Sequence, residues 1–254
     1  MRILVTNDDG IHSPGLWALE EIAKALSDDV WVVAPETDQS GASHSLTVND
    51  PLRLRQVGER HYAVRGTPTD CVIMGMRQIL DSDPDLILSG INRGHNLADD
   101  VTYSGTVAGA MEGTILGVRS IAFSQSYSHA QGTEPPYETS IAHGPGLVRR
   151  ILEMDLPADV LININVPDVA PDAVAGVKVT TQGRRDQALL NVEERHDGRG
   201  NPYYWIGFQR RKFAYVEGTD LEAVRDGFIS VTPLRLDLTA LRVLDDMKSA
   251  LNSQ

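Results

Sequence analysis

The chain is short of cysteine, of positive charge and of long apolar runs, and each shortage excludes a class of protein. Its one cysteine, Cys71, rules out an internal disulfide framework and suits a reducing, cytoplasmic setting. Lys and Arg number 23 against 35 Asp and Glu, a formal charge of −12 with His neutral. That balance argues against nucleic acid or an anionic membrane as the main partner. A phosphorylated substrate would need a local cation or helix N-termini to overcome the global field. No apolar run approaches the roughly 18 residues that a membrane span needs. Met1 leads straight into the first apolar run, so no signal peptide is expected. What is present is a hydrophobic content of 41% over 254 residues, enough for one large α/β domain or one domain with an appendage.

The chemistry gathers first at Val5-Thr6-Asn7-Asp8-Asp9-Gly10-Ile11. Residues 1–4 read as a buried strand, so two adjacent carboxylates sit just past its C-terminal end. Gly10 lets the chain turn, and residues 16–26 carry the apolar period of a helix. In an open parallel sheet, ligands bind in the crevice beyond the carboxyl ends of the strands. Neighbouring Asp side chains repel, so the pair calls for a cation, a shared proton or plain solvation. Asp-Asp-Gly is also ordinary turn chemistry.

Residues 29–35 form a second predicted strand, followed by a polar loop that contains Ser40 and Ser43. Residues 52–55 and 62–64 alternate as a small hairpin with its loop at Gly58. Thr67, Pro68 and Asp70 have the spacing of an N-cap, a first helical position and a third. Cys71 falls on the apolar face of that helix and reads as core, since no neighbouring base would activate it. Residues 85–90 are a third strand, running into a loop from Ile91 to Leu97 that holds Asn92, His95 and Asn96. A helix then opens at Ser104-Gly105-Thr106, whose hydroxyls and free N–H groups offer either an anion site or an ordinary cap. Gly105, Gly109, Gly113 and Gly117 recur every four residues there. Each interior glycine costs roughly 1 kcal/mol of helix propensity, so the helix is expected to approach a neighbour closely.

Strands at 120–124 and 159–166, with a helix over 137–154 between them, complete a β-α repeat. It predicts a mostly parallel sheet with helices on both faces. The last third differs. Residues 177–180 are a strand, and 189–193 and 203–208 pair as a long hairpin with exposed aromatics, suited to subunit contact. Thr219-Asp220 caps a short helix, 227–233 is a strand and 239–251 a terminal helix. The expected division is a catalytic core over 1–183 and a hairpin-plus-oligomerisation segment over 184–254, with strand 227–233 free to rejoin the core.

The loops bearing Asp8, Asp9, Ser40, Asn92 and the 104–106 helix start all follow predicted strands or their crossovers, so a parallel sheet brings them to one edge. Carboxylates, a hydroxyl and an amide oxygen are hard ligands. They suit Mg²⁺ or Mn²⁺ and not Zn²⁺, whose usual His and Cys sets are missing. A divalent ion beside an anion-binding helix start is equipment for phosphate-ester hydrolysis.

Five blocks now carry a resemblance. They are Thr6-Asn7-Asp8-Asp9-Gly10-Ile11, Ser40-Gly41-Ala42-Ser43, Gly66-Thr67-Pro68-Thr69-Asp70-Cys71, the run Ser89 to Asn96, and the run Tyr103 to Ala110. Together they resemble the stationary-phase survival protein SurE family, with Gly227 to Leu234 as its C-terminal signature. The resemblance implies a three-layer α/β/α, Rossmann-like sandwich with a protruding β-hairpin, at residues 185–210, and a C-terminal tail swapped in a homodimer or homotetramer. It implies a metal-dependent nucleotidase acting on nucleoside 5′-monophosphates, often on 3′-monophosphates, and in some members on short polyphosphate. Asp8, Asp9, Ser40 and Asn92 would hold one divalent ion, Mg²⁺ or Mn²⁺. Asn96, Ser104, Gly105 and Thr106 would bind the phosphate, and Asp8 and Asp9 would be catalytic. Two departures touch the tail: Leu221 follows Thr219-Asp220 where the family often has Trp, and Ala240-Leu241 follows Thr239 where it often has His.

A nucleotide-binding sensor without turnover could use the same crevice. A Ser-His hydrolase on Ser43-His44 fares worse, because its motif lacks the final Gly of a nucleophile elbow and adjacent side chains do not readily face each other. His44 and His95 read as lining or hydrogen-bonding residues. His12, His61, His129, His143 and His196 form no cluster in the sequence.

Overall fold

In the computed structural model, which describes residues 1–128, 134–185, 190–208 and 216–251, the chain begins β1 (Arg2–Thr6), α1 (Pro14–Lys24), β2 (Asp29–Pro35), β3 (Leu54–Gly58), β4 (His61–Val64) and α2 (Pro68–Met74). It continues β5 (Leu86–Arg93), α3 (Gly105–Ile115), β6 (Ser120–Gln125), α4 (Tyr137–Leu152), β7 (Val160–Val166) and β8 (Gly176–Val179). It ends β9 (Leu190–His196), β10 (Pro202–Phe208), α5 (Asp220–Arg225), β11 (Phe228–Arg235) and α6 (Leu241–Leu251).

Nine strands form one sheet in the order β3-β4-β2-β1-β5-β6-β7-β11-β8. The six from β4 to β7 are mutually parallel, as the β-α repeat predicts. β3 runs antiparallel to β4, and β11 antiparallel to β7. The strand predicted at 227–233 thus does rejoin the core sheet, wedged between β7 and β8. β9 and β10 make a separate two-stranded sheet. Parts of the expected 185–210 hairpin, at 186–189 and 209–210, lie outside the described residues, as does His129.

Alternation along β1 explains the layering. Ile3 and Val5 pack with Leu16, Leu19 and Ile22 of α1 and with Leu147, Val148 and Ile151 of α4. Leu4 points the other way, into Cys71 and Val72 of α2 and Met76 beyond it. Val107 and Ala110 of α3 meet Ala122 and Leu161 in a third cluster. Helices therefore cover both faces of the sheet.

Local signals set the helix starts. Thr67 Oγ1 accepts from the Asp70 N–H at 3.2 Å while Asp70 Oδ2 accepts from the Thr67 N–H at 2.8 Å, the predicted reciprocal cap. Ser13 caps α1 through its hydroxyl. The close approach expected of α3 is seen. A Cβ at Gly109 would lie 2.7 Å from Ser89 Oγ and 3.1 Å from Thr6 Cγ2, and one at Gly113 would lie 2.6 Å from Ile87 Cδ1. Gly117 differs from the other three: it has open space around it and a φ of +86°, so it ends the helix instead of packing it.

Several element boundaries differ from expectation: α1, predicted over 16–26, runs Pro14–Lys24. β5 runs on to Arg93, so Asn92 stands on the strand and not in the predicted loop. The small hairpin turns between Gly58 and His61, across a register shift. The terminal helix starts at Leu241. α6 buries no residue and leaves Leu241, Met247 and Leu251 exposed, and β10 exposes Tyr203, Tyr204, Trp205 and Ile206. No helix among the described residues is long and apolar enough to cross a membrane.

Two outcomes follow from this packing. Gly109→Val should cost about 2 kcal/mol in urea unfolding, since the added atoms meet β1 and β5 in a filled layer; an unchanged midpoint would contradict the packing account. Burial, with Asp70 beside it, pushes the Cys71 thiol well above its ordinary range. A disulfide reagent should therefore label Cys71 in the native protein only as fast as the chain opens, and rapid labelling would count against its place in the core.

Candidate active site

The turn after β1 is built by Asn7. Its side-chain Nδ2 donates to the Gly10 carbonyl at 3.0 Å and to Ser13 Oγ at 2.7 Å. Gly10 takes a φ of +99°, which a side chain would oppose. The turn fixes two carboxylates at the carboxyl edge of the sheet. Asp8 is buried, at 3% exposure, and Asp9 is half-buried.

Three further segments bond directly to this dipeptide. After β2, the Gln39 N–H donates to the Asp8 carbonyl at 2.8 Å. At the end of β5, the Arg93 N–H donates to Asp9 Oδ2 at 3.1 Å. At the start of α3, Thr106 Oγ1 donates to Asp8 Oδ1 at 2.5 Å. Gly105 makes that last approach feasible, because a Cβ there would lie 2.8 Å from Asp8 Cβ. The sequence-predicted residues Asp8, Asp9, Ser40, Asn92, Gly105 and Thr106 are therefore drawn together by bonds to two consecutive residues or to their direct neighbours.

The electrostatics are unfavourable as they stand. Burial raises the Asp8 carboxyl, and the Thr106 hydroxyl offsets only part of that. Burial, with Asp8 next in line, pushes Asp9 up to about 7, and Asp38 adds to it. The backbone and side chain of Arg93 are what pulls Asp9 back down. Acidic groups this crowded favour a cation.

The residues fit a divalent ion in their donor chemistry and in how each donor is held. Ser40 Oγ gives its proton to Asp38 Oδ1 at 2.6 Å, so its lone pairs are what it has left to offer. Asn92 commits Nδ2 to the Gly94 carbonyl at 2.9 Å, which leaves Oδ1 for a ligand. The Asp8 carboxylate accepts from the Thr106 hydroxyl, with backbone N–H groups beside it, and Asp9 Oδ2 accepts from the Arg93 N–H. Partners that orient ligands in this way are what a metal site requires. Among the described residues no group of three or more His, Cys, Asp or Glu could hold a metal.

Gly105, with Ser104 before it, lies against Asp8, while Asn96 is held by residues of β6 and β7. Ser104 caps α3, its Oγ accepting from the Val107 N–H at 3.1 Å. Asn96 is gripped on every side. Its N–H donates to Asn165 Oδ1 at 2.8 Å, its carbonyl accepts from Asn163 Nδ2 at 2.9 Å and Asn165 Nδ2 at 3.1 Å, and its Nδ2 donates to Ser124 Oγ at 2.8 Å. Sequence reasoning missed Ser124, Asn163, Asn165 and Asp38. A signal was present for two of them: Asn163 and Asn165 interrupt an apolar strand at a spacing of two, which puts both amides on one buried face. Beyond Asn96, Asp220 accepts from the N–H groups of Ala98 and Gly183 at 2.8 and 2.9 Å. Arg185 grips Asp100 through two nitrogens, at 2.9 and 2.5 Å. These bonds tie the base of the β9–β10 arm to the loop that follows Asn96.

Ser43 and His44 do not form a catalytic pair. Ser43 Oγ donates to the Thr102 carbonyl at 2.6 Å, while His44 Nε2 bonds Glu112 Oε2 at 2.9 Å. Asn165→Ala would leave the buried Asn96 N–H without its acceptor. The expected loss is roughly 1–3 kcal/mol in urea unfolding, and a variant as stable as the parent would contradict the clamp.

Comparison with known proteins now bears on this arrangement. The family model for survival protein SurE matches residues 3–188. The protein called 5′-nucleotidase SurE from Rhodopseudomonas palustris strain BisA53 is 61% identical over 254 residues, covering 99% of this chain and all of the relative. The protein of the same name from Methylorubrum extorquens strain PA1 is 62% identical over 240 residues, 94% of each chain. The crystal structure of the SurE protein from Aquifex aeolicus superposes with a TM-score of 0.85 at 44% identity, over 98% of this chain and 99% of that one. The chain whose three segments close on Asp8 and Asp9 belongs to the SurE family.

Proposed function

We propose that the chain is a 5′-nucleotidase that hydrolyses nucleoside 5′-monophosphates, and 3′-monophosphates beside them, by direct attack of water with one divalent ion, Mg²⁺ or Mn²⁺, per subunit. The observation that supports this reading is that the segments after β2, at the end of β5 and at the start of α3 each hydrogen-bond Asp8 or Asp9. The name borne by relatives more than 60% identical supports the nucleotide as substrate. Asp8, Asp9, Ser40 and Asn92 would hold the ion. When bound, it supplies polarisation of a phosphoryl oxygen and a more acidic water. The chain's own groups do the rest. The Asn96 amide, the Ser104 hydroxyl and the first N–H groups of α3, at Gly105 and Thr106, receive the phosphate and its developing charge. Asp8 and Asp9 orient the attacking water. The Asn163–Asn165 clamp holds Asn96 still while charge moves.

The assembly belongs to the same proposal. A dimer or tetramer in which the segment over 184–254, β11 apart, meets a partner would cover the apolar side chains of β10 and α6, which the single chain leaves in water. The acidic charge and lone cysteine fit a cytoplasmic enzyme.

Phosphate release from a panel of 5′- and 3′-nucleoside monophosphates tests the reading, with Mn²⁺, Mg²⁺ or EDTA. Release should need a metal and should fall at least about 100-fold in Asp8→Asn and in Asp9→Asn. Binding of nucleotide by folded protein, with no release under any metal, would replace the enzyme with a sensor.

A further inference from the structure

Ser40 sits in the connection between β2 and β3, residues 36–53, which forms no helix or strand. Apolar side chains do little to hold this connection, for Leu46 and Val48 are both exposed. Around Ser40 the backbone turns sharply. The Ala42 N–H donates to the Gln39 carbonyl at 3.0 Å, and Gly41 and Ser43 take φ values of +79° and +56°. A residue with a Cβ seldom adopts the latter, and its surroundings have to impose it. A long connection of this kind would sample many positions unless polar tethers offset its entropy.

The tethers stand on both sides of Ser40 along the chain. Before it, the Gln39 N–H grips the Asp8 carbonyl at 2.8 Å. After it, Ser43 Oγ donates to the Thr102 carbonyl at 2.6 Å and His44 Nε2 bonds Glu112 Oε2 at 2.9 Å. Glu112 is buried, and it stands on α3, the helix whose Thr106 holds Asp8. Next, the Ser45 carbonyl accepts from Thr67 Oγ1 at 2.8 Å. Thr47 gives its N–H to Asp70 Oδ1 at 3.0 Å and its hydroxyl to Asp70 Oδ2 at 2.6 Å. The block Gly66 to Cys71 therefore does more than start α2: one Asp70 carboxylate closes the helix cap and clamps the loop. Gly66 leaves room for it, since a Cβ there would lie 2.7 Å from Asp70 Oδ2. Pro68 in turn lies against Gly105, where a Cβ would meet its Cγ at 3.2 Å, so both anchors lead back to α3.

We propose that His44 is a positioning residue for the metal site: its bond to Glu112 fixes the Ser40 turn from the side that Gln39 leaves free, and so holds the Ser40 hydroxyl in place for the ion. His44 acts through the loop and not on the metal or the substrate, and the Thr47–Asp70 clamp secures the loop beyond it. α3 is then the common reference of the site, holding Asp8 through Thr106 and Ser40 through Glu112 and His44. This rests on the reading of Ser40 as a metal ligand. It adds that a buried carboxylate outside the chemistry, Glu112, sets how well the site is prepared for the ion.

The test separates the two claims. Mn²⁺ is titrated calorimetrically into the full chain and into His44→Ala, His44→Gln and Val48→Ala. His44 and Val48 are exposed, so the variants should fold, and urea unfolding without metal reads any loss of stability separately. Mn²⁺ should bind His44→Ala about tenfold more weakly than the parent. His44→Gln, whose amide N–H can still reach Glu112, should recover the affinity to within about twofold. Val48→Ala, which removes no tether, should match the parent. With AMP as substrate, saturating Mn²⁺ should bring kcat of His44→Ala to within about twofold of the parent, a split that a general loss of stability would not produce. Equal affinity of parent and His44→Ala, or a loss that His44→Gln does not recover, would overturn the positioning role and leave the metal site standing. No Mn²⁺ binding by the folded parent would remove the metal reading, and the positioning role with it.

Discussion

Three hydrogen bonds to one dipeptide hold the centre together. Gln39 reaches the Asp8 carbonyl, Arg93 reaches the Asp9 carboxylate, and Thr106 reaches the Asp8 carboxylate. Much else in the fold is what these bonds require. β1 lies between β2 and β5, so the segments after all three strands end side by side. The chain goes out from β1 to β2 and β4, then returns across β1 to lay down β5. This makes the β1–β5 junction the switch point of the sheet, where a crevice opens in folds of this type. α3 follows β5 and arrives over that crevice, and its glycines let it press onto β5 and β1 closely enough for Thr106 to touch Asp8.

The same bonds account for the charge problem and its resolution. A chain that places Asp8 and Asp9 together, one buried and one half-buried, raises both carboxyl groups and gains little from doing so unless a cation joins them. On the proposed reading, a cation bound there would reverse the sign of the local field and let the neighbouring helix start receive an anion that the whole molecule would otherwise repel. The two sites would then be interdependent, since Thr106 belongs to α3 and bonds Asp8.

Much of this was legible in the sequence because it is encoded locally. The Thr67–Asp70 cap, the Ser104 helix start, the Asp-Asp-Gly turn and the close packing of Gly105, Gly109 and Gly113 each act within a few residues of themselves, and each appears where expected. What was not legible depends on distant partners. β5 continues past Gly90 because β6 is there to pair with Asn92 and Arg93, a partner no local pattern announces. β11 lies between β7 and β8, antiparallel to the first and parallel to the second, and both partners are distant in sequence. Asp38 looked like one more polar loop residue until its bond to Ser40 gave it a task. Asn163 and Asn165 matter only because Asn96 comes to lie against them.

The most direct measurement is a crystal grown or soaked with Mn²⁺ and mapped by the anomalous signal of manganese. The account predicts one strong peak per subunit, bounded by Asp8, Asp9, Ser40 and Asn92, with Thr106 and Asp38 still holding their present partners. A peak away from these four residues, or none at saturating Mn²⁺, would contradict the claim that the convergence on Asp8 and Asp9 exists to bind a cation.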